Sequence, residues 1–469
     1  MHVSRSDELC RRMFLRRTAA LSAVGAGSSY ALGLAGLGEL AAQAGGGGYQ
    51  ALVCVFLFGG NDHSNTLIPY DPANYSRYSS LRGGSTGVAI PQSHLSSTVL
   101  QPIEQQTLTD DQVLALAPTL PKLKARFDEG VMAPILNVGP LLAPLTRAQY
   151  ESSNTRAYPR PSKLFSHNDQ RSTWLSFQPE GARTGWGGLL GDIALSSNRN
   201  AMFTAINAGG DAVFLSGQDV GSYRIRSGGV PTIYNLRSLY NSAVAGSALG
   251  TLLRQQSDHV LENDHAFVTA RSIDFSGFVD EALQSAPSFT DFPSNSILSQ
   301  QLSLVSQLIA AHGDLGVTRQ IFLVSMGGFD NHSDLKSTHQ GLLSEVDEAL
   351  DQFYSVLGRL GLQNNVTTFT ASDFGRSLTF NGRGSDHGWG GHHFVLGGAV
   401  KGGRFYGTAP HISTQTDDQV GRGRLLPTIA VDQYAATLAK WLGVRTADLG
   451  YVAPNIGRFE TSDLGFMQV

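Results

Sequence analysis

Residues 384–393, GSDHGWGGHH, concentrate side chains that bind metal ions. They include one aspartate and three of the chain's 13 histidines, in a segment otherwise rich in glycine. Carboxylates and neutral imidazoles are common ligands of divalent metals. Four such side chains on one loop seldom complete a hydrolytic centre alone, so further ligands must come from elsewhere. Asp386 and His387 are the candidate ligands here, whereas His392 and His393 lead into an apolar run and are expected to face the protein interior.

Further candidate ligands follow apolar runs that have the pattern of β-strands. Residues 49–58, 319–325 and 366–371 are rich in β-branched and aromatic residues, and each run ends in a glycine-containing turn. The turns carry Asp62, Asp330, His332 and Asp373. The C-terminal ends of parallel strands lie along one edge of a sheet, where ligands bind. Three carboxylates at one edge would repel each other unless a cation lies between them, although each aspartate taken singly could instead cap a helix.

The order of the apolar runs predicts an α/β fold. Leucines, valines and a phenylalanine recur at helical spacing over residues 342–360, between two predicted strands. A strand, a helix of about 20 residues and a second strand form the crossover unit of a parallel sheet. We therefore predict a doubly wound, mostly parallel sheet with helices on both faces. His339 precedes the apolar stripe of this helix, on its first turn, and is expected to be solvated.

The predicted domain organisation is simple. Residues 45–469 should form a single α/β domain, with a less legible insertion at about 201–296 that contains a helix near residues 242–261. Shorter elements are predicted at residues 121–129, 131–138 and 428–442, as a helix, a strand and a helix respectively.

The segment LFSHNDQ, residues 164–170, supplies a candidate nucleophile. Ser166 opens a predicted helix, where backbone amides favour a phosphate or sulfate group. A divalent ion nearby would lower the pKa of its hydroxyl enough for nucleophilic attack. Ser166 could alternatively cap the helix, and His167 could be either a metal ligand or the acid for a leaving group. Arg376 or Arg171 could clamp an anionic substrate.

The N-terminus predicts export. RRMFLR, residues 11–16, is a twin-arginine pattern, followed by a weakly apolar stretch and an Ala-Gln-Ala cleavage site at residues 42–44. Residues 1–44 are therefore predicted to be a signal peptide recognised by the twin-arginine translocase, which gives a periplasmic or extracellular protein. The chain has a formal charge of −4 and no basic run, which argues against nucleic-acid binding. No later segment is apolar enough for a transmembrane helix.

These motifs together resemble the bacterial family known as domain of unknown function 1501. In order along the chain, they are the twin-arginine leader, FLFGGNDHSNTLIPYD, LFSHNDQ, GGFDNH, SDFGR, GAVKGGRFYG and VDQYAATLAKWLG. That family is similar to the alkaline phosphatase and sulfatase superfamily, whose doubly wound sheet holds a metal cluster at the C-terminal edge of its strands. The resemblance implies an alkaline-phosphatase-like fold with one or two divalent ions. Mixed aspartate and histidine ligation suits zinc, manganese, iron or calcium without choosing among them.

The resemblance also implies a role for each matching residue. Asp62 would bridge a metal ion and the nucleophile, and Ser166 would be that nucleophile. The remaining implied ligands are Asp330 and His332 for the first ion, Asp373 for the second, and His387, which matches a late histidine of the superfamily.

The sequence departs from the superfamily pattern in two places. Asp330 and His332 are separated by one residue, a shorter gap than in the phosphatases. Phe374 follows Asp373 where many superfamily members place a metal-binding histidine. A second ion would therefore need other ligands, for which the candidates are Asp386, Asn61 and Asn65.

Two functions of different class remain open. The first is an exported metal-dependent hydrolase of phosphate or sulfate esters, which acts on an anionic or envelope-derived substrate. The second is a non-catalytic periplasmic or surface protein that keeps a metal ion and binds envelope components or polysaccharide. Bound metal would separate both from a metal-free scaffold, and the dependence of turnover on Ser166 would separate the first from the second.

Overall fold

The structure is a computed structural model, and it describes residues 48–210, 213–226, 234–255 and 259–468. The predicted signal peptide, residues 1–44, lies outside this part of the chain. None of the helices in the described residues is long and apolar enough to cross a membrane.

The described residues contain twelve strands and eleven α-helices. The strands are β1 (Gln50–Leu57), β2 (Leu67–Pro69), β3 (Leu114–Leu116), β4 (Met132–Gly139), β5 (Ala205–Asn207), β6 (Tyr223–Arg224), β7 (Arg319–Met326), β8 (Val366–Ser372), β9 (Gly391–Leu396), β10 (Gln419–Val420), β11 (Arg424–Leu425) and β12 (Ile429–Ala430). The helices are α1 (Pro72–Leu81), α2 (Pro121–Asp128), α3 (Arg147–Glu151), α4 (His167–Ser176), α5 (Trp186–Ala194), α6 (Ala243–Leu253), α7 (Val260–Ser285), α8 (Ile297–Ala310), α9 (Leu335–Arg359), α10 (Val431–Trp441) and α11 (Leu449–Val452).

Eight of the strands form one sheet in the order β12-β4-β9-β8-β1-β7-β5-β6. β1 lies near the middle and pairs in parallel with both β7 and β8. β9 runs antiparallel to its neighbours β8 and β4, while the other pairs in this sheet are parallel. The predicted mostly parallel sheet is confirmed.

The two faces of the sheet carry separate hydrophobic cores. Along β1, Val53 and Val55 belong to one core, whereas Cys54 and Phe56 belong to the other. The first core is covered mainly by α2, α8 and α9, and the second by α4, α5 and α10. A strand buried on both faces requires the unbroken apolar run that predicted it. The doubly wound α/β fold is therefore confirmed.

Helix α9 forms where the apolar spacing predicted it. Leu343, Val346, Leu350 and Phe353 are three or four residues apart and all are buried against the first core. The prediction that His339 is solvated was wrong. Its side chain is fully buried, and its Nε2 lies 2.9 Å from Oδ1 of Asn61.

The predicted insertion at about residues 201–296 contributes two strands to the main sheet. β5 and β6, which fall within the predicted insertion, lie at the end of the main sheet. The helix predicted near residues 242–261 corresponds to α6 and the beginning of α7. Residues from Gly48 onward form one compact unit.

Asp347 of α9 caps the N-terminus of α2. Its carboxylate accepts hydrogen bonds from the backbone N–H groups of Lys122 at 3.1 Å and Leu123 at 2.7 Å, which have no partner within the helix.

We expect Asp347→Ala to lower the free energy of unfolding by about 1–2 kcal/mol in urea denaturation. Glu345→Ala removes an exposed acid from the same helix and should change this free energy by less than about 0.5 kcal/mol. Equal losses in the two variants would contradict the capping role.

Candidate metal centre

The candidate site lies where three neighbouring strands end level with each other. Leu57 at the end of β1 is opposite Met326 of β7 and Ser372 of β8. The turns that follow carry Asp62, Asp330 and Asp373. Gly59 has a φ of 116°, and a Cβ atom there would lie 2.3 Å from the backbone nitrogen of Asp330. Glycine is therefore needed for the first two turns to approach each other.

The direction of β9 explains how the histidine-rich loop reaches the same edge. Because β9 is antiparallel to β8, it begins at the edge where β8 ends. The loop between them folds back on itself, with a backbone bridge between Arg376 and His387. His167, the first residue of α4, also lies at this edge, next to Asp330.

Ligand atoms from three distant segments converge at this edge. One ligand atom each of His167, Asp330 and His387 lies within 4.8 Å of the others. Oδ2 of Asp330 is 3.5 Å from Nε2 of His167, and its Oδ1 is 3.4 Å from Nε2 of His387.

His332 adds a fourth ligand atom to the group. Its Nε2 lies 3.1 Å from Oδ1 of Asp330 and 2.8 Å from Nε2 of His387. Ligand atoms around a tetrahedral zinc ion are about 3.3 Å apart, given bonds of about 2.0–2.1 Å. The triangle formed by Asp330, His332 and His387 therefore has the dimensions of one face of such a site.

Each imidazole is oriented by an oxygen atom behind it. Nδ1 of His167 lies 2.7 Å from Oδ2 of Asp373, and Nδ1 of His387 lies 2.8 Å from the carbonyl oxygen of Phe165. These oxygens accept hydrogen bonds, so each Nδ1 carries a proton and each neutral ring presents the lone pair of Nε2 to the group. Metal-binding histidines are typically held in this way.

The remaining histidine is held less tightly. Nδ1 of His332 is 3.5 Å from Oδ1 of Asp386, which also accepts a hydrogen bond from Asn381 at 2.9 Å.

Nε2 of His167 is buried and has no hydrogen-bond partner in the described residues. A buried polar atom without a partner is costly, so this nitrogen fits a metal ligand.

The charges around the group shift the pKa values of its members. Burial alone would raise the pKa of Asp330, but Arg376 at 2.8 Å outweighs it and lowers the pKa below the ordinary value. The hydrogen bond that His167 donates to Asp373 raises the pKa of His167, whereas burial lowers the pKa of His387. An ionised carboxylate and a neutral imidazole are the forms that bind metals.

The structure places Asp62 outside the group, although the sequence predicted it as a ligand. Its side chain is fully buried, its Oδ2 accepts hydrogen bonds from Arg82 and Ser385, and its Oδ1 accepts one from the backbone of Asn65. Both carboxylate oxygens of Asp62 therefore accept hydrogen bonds from other residues of the protein. The same holds for Asn61, whose amide group contacts Thr66 and His339.

Asp373 and Asp386 each place one carboxylate oxygen against Nδ1 of a histidine, Asp373 against His167 and Asp386 against His332. Oδ1 of Asp373 is buried and has no hydrogen-bond partner in the described residues, so Asp373 stays a candidate ligand. Asn65, a candidate for a second ion, contacts Tyr78 and the carbonyl oxygen of Val88.

Ser166 precedes His167 and is the N-cap residue of α4, but its side chain makes no capping hydrogen bond. Its hydroxyl instead donates to Oδ2 of Asp169 at 2.9 Å. Burial would raise the pKa of Asp169, but the bonds from Ser166 and from the backbone of Glu180 lower it. Arg376, the predicted anion clamp, is fully buried and donates to Asp330, Ser385 and the carbonyl of Gly59.

Several residues of the site carry no signal in the sequence. Phe165 has a φ of 71°, which is unusual for a residue with a side chain, and its carbonyl thereby meets His387. The guanidinium group of Arg424 lies 4.3 Å from the Phe165 ring and donates to the carbonyl oxygen of His387. Such contacts depend on backbone dihedrals and on residues distant in sequence, which spacing does not reveal.

Comparisons with known proteins agree with the predicted resemblance. The family model described as protein of unknown function (DUF1501) matches residues 281–440, which contain most of the group, so the resemblance is confirmed over that range. No curated protein matches the chain.

Solved structures are similar only at a distance. A sulfatase from Pseudoalteromonas sp. is 11% identical, with 87% of this chain and 70% of that chain covered and a TM-score of 0.37. A protein of the alkaline phosphatase superfamily from Vibrio parahaemolyticus is 10% identical, with 85% and 67% covered and a TM-score of 0.32. The lipoteichoic acid synthase LtaP from Listeria monocytogenes is 11% identical, with 89% and 81% covered and a TM-score of 0.30. Such TM-scores support no inference about chemistry.

The opposite pKa shifts of two histidines can be measured. In metal-free protein, the pKa of His167 should lie above the ordinary value of 6.5, and the pKa of His387 should lie below it. Protonated His167 therefore stabilises the fold at low pH, an effect lost as the pH rises through its folded pKa. His387 has the opposite sign, and stability is lost as the pH falls below 6.5 toward its folded pKa. NMR titration of the imidazole protons, assigned with His167→Gln and His387→Gln, measures both values, and the reverse order would contradict the geometry.

Proposed function

We propose that the chain is an exported metal-dependent hydrolase of phosphate or sulfate esters. The observation that carries the proposal is the convergence of His167, Asp330, His332 and His387, in which each imidazole has an oxygen atom on its Nδ1. Three imidazoles and one carboxylate suit zinc or iron better than calcium or manganese, which prefer oxygen ligands. The twin-arginine leader predicted at residues 1–44 supports export to the periplasm or beyond.

The charge of the site favours an anionic substrate once an ion is bound. The carboxylates of Asp330, Asp373 and Asp386 and the guanidinium groups of Arg376, Arg422 and Arg424 give a formal charge of 0 around the group. A divalent ion would change this to +2. The electrostatic field would then attract a phosphate or sulfate ester.

A bound ion would polarise the ester oxygens and stabilise the charge that develops in the transition state. Ser166 is the proposed nucleophile because it is adjacent to the ligand His167 at the N-terminus of α4, where the helix favours negative charge. Asp169 accepts the hydroxyl hydrogen of Ser166 and so orients the oxygen lone pairs. Lys163, 3.4 Å from Asp169, adds a positive charge beside them.

One observation favours the alternative of a non-catalytic metal-containing binding protein. Structural zinc sites are filled by four protein ligands, whereas catalytic sites keep one position open. If all four side chains of the group bound one ion, no position would remain for a substrate. Whether His332 binds the ion distinguishes the two functions. Its side chain is 45% exposed, and its Nδ1 contact to Asp386 is longer than the Nδ1 contacts of His167 and His387.

Substitutions at the group should separate metal binding from turnover. Wild-type protein loaded with zinc should hold stoichiometric metal and hydrolyse an aryl phosphate or an aryl sulfate. His387→Ala should lose the metal, whereas Ser166→Ala should keep it and lose roughly 1000-fold or more in kcat. His94→Ala, which removes an exposed histidine, is the control and should match the wild type.

Elemental analysis and steady-state kinetics on the same samples give the answer. Stoichiometric metal without turnover of either ester would favour the binding protein. Full activity in Ser166→Ala would exclude Ser166 as the nucleophile. Absence of metal from the loaded wild type would refute both proposed functions.

A further inference from the structure

We infer that Asp62, Arg82 and Ser385 are positioning residues of the metal centre, which act through Arg376 on the ligand Asp330. The inference rests on the proposed function, because these residues would assemble the same site. It gives Asp62 a role different from the metal ligation that the sequence predicted.

The base of this arrangement is a buried ion pair. Asp62 and Arg82 are both fully buried, and a guanidinium nitrogen of Arg82 lies 2.8 Å from Oδ2 of Asp62. Arg82 follows α1 and also donates to the carbonyl oxygen of Ser377, one residue after Arg376. Burial would raise the pKa of Asp62, but the positive charge of Arg82, the nearby histidines and the Ser385 hydroxyl hold it well below the ordinary range. The carboxylate therefore stays charged and keeps its hydrogen bonds.

Ser385 connects this ion pair to Arg376. Its hydroxyl donates to Oδ2 of Asp62 at 2.6 Å and accepts a hydrogen bond from Nε of Arg376 at 3.2 Å. The carbonyl oxygen of Ser385 accepts the same Nε–H at 3.1 Å and also an Nη2–H of this guanidinium. The other end of the guanidinium donates to Gly59 at 2.9 Å and to Oδ1 of Asp330 at 2.8 Å. The planar guanidinium transmits its orientation to that carboxylate.

Asp330 needs such support because packing does not fix it. Its side chain is 46% exposed, and Arg376 is the cation within ion-pair distance of it that carries a permanent charge. Ser385 is also two residues before His387, so the bond to Asp62 restrains the loop that carries a second ligand. Two ligands from different segments thus depend on one buried set of hydrogen bonds.

A purely structural ion pair is the alternative explanation, and metal affinity distinguishes the two. Loss of a merely stabilising contact would lower the free energy of unfolding and leave the affinity for metal unchanged. Loss of a contact that orients a ligand typically weakens metal binding by about 10–100-fold.

The test uses Co²⁺, whose visible absorption reports the ligand geometry. The purified full-length protein is freed of metal and titrated with Co²⁺. We expect Ser385→Ala to raise the Kd for Co²⁺ by about 10–100-fold and to shift the visible bands. Ser306→Ala is the matched control. It removes another fully buried serine hydroxyl, which donates within α8 to the carbonyl oxygen of Leu302, and it should lower stability while leaving the Kd and the spectrum unchanged.

Arg376→Lys gives a second measurement if Ser385→Ala does not fold. It keeps a positive charge near Asp330 but cannot bridge Ser385 and Asp330 as a planar group, so the same loss of affinity is expected. Wild-type Kd and spectrum in a folded Ser385→Ala or Arg376→Lys variant would overturn this inference alone. A wild-type protein that binds no Co²⁺ would overturn the proposed function and, with it, this inference.

Discussion

The parallel pairing of β1 with β7 and β8 is the constraint on which the site depends. Because Leu57, Met326 and Ser372 lie opposite each other, the three following turns leave the sheet at one level. A shift of either neighbour by one residue would move its aspartate by about 3.3 Å along the strand and turn it toward the other face. The close packing of side chains on both faces of these strands opposes such a shift, so the core of the protein sets the geometry of its polar edge.

The group built on this edge balances a half-exposed carboxylate against a buried cation. Asp330 lies between Arg376 and the imidazoles of His167, His332 and His387. Arg376 keeps the carboxylate ionised, while the oxygens behind His167 and His387 leave the Nε2 atoms of these two rings without a proton. Nε2 of His332 lies within hydrogen-bond distance of that of His387. The ring of Phe374, where many members of the resembled superfamily place a metal-binding histidine, packs against His167 and His387.

The sequence predicted the parts of the structure that depend on local patterns. Unbroken apolar runs located β1, β7 and β8, and the turns after them led to Asp330 and His332. The same patterns could not show that Asp62 pairs with Arg82, because that contact depends on where α1 ends relative to the sheet. Nor could they show that His339 is buried against Asn61. A histidine at this position of the helix has the same sequence spacing whether its side chain faces solvent or the interior. Contacts between side chains from separate segments are set by packing, which leaves no periodic trace in the chain.

The reversed direction of β9 has a consequence for how the protein tolerates change. A crossover helix normally separates consecutive parallel strands, but β8 and β9 are joined by residues 373–390 without one. This one connection carries Asp373, Arg376, Ser385 and His387, and its exposed tip at residues 381–383 is the accessible part. Insertions at that tip would lengthen an outer turn, whereas insertions on either side of it would separate groups that must act together. Sequence variation in this segment should therefore be concentrated at this tip, with the exception of Asn381, whose side chain donates a hydrogen bond to Asp386.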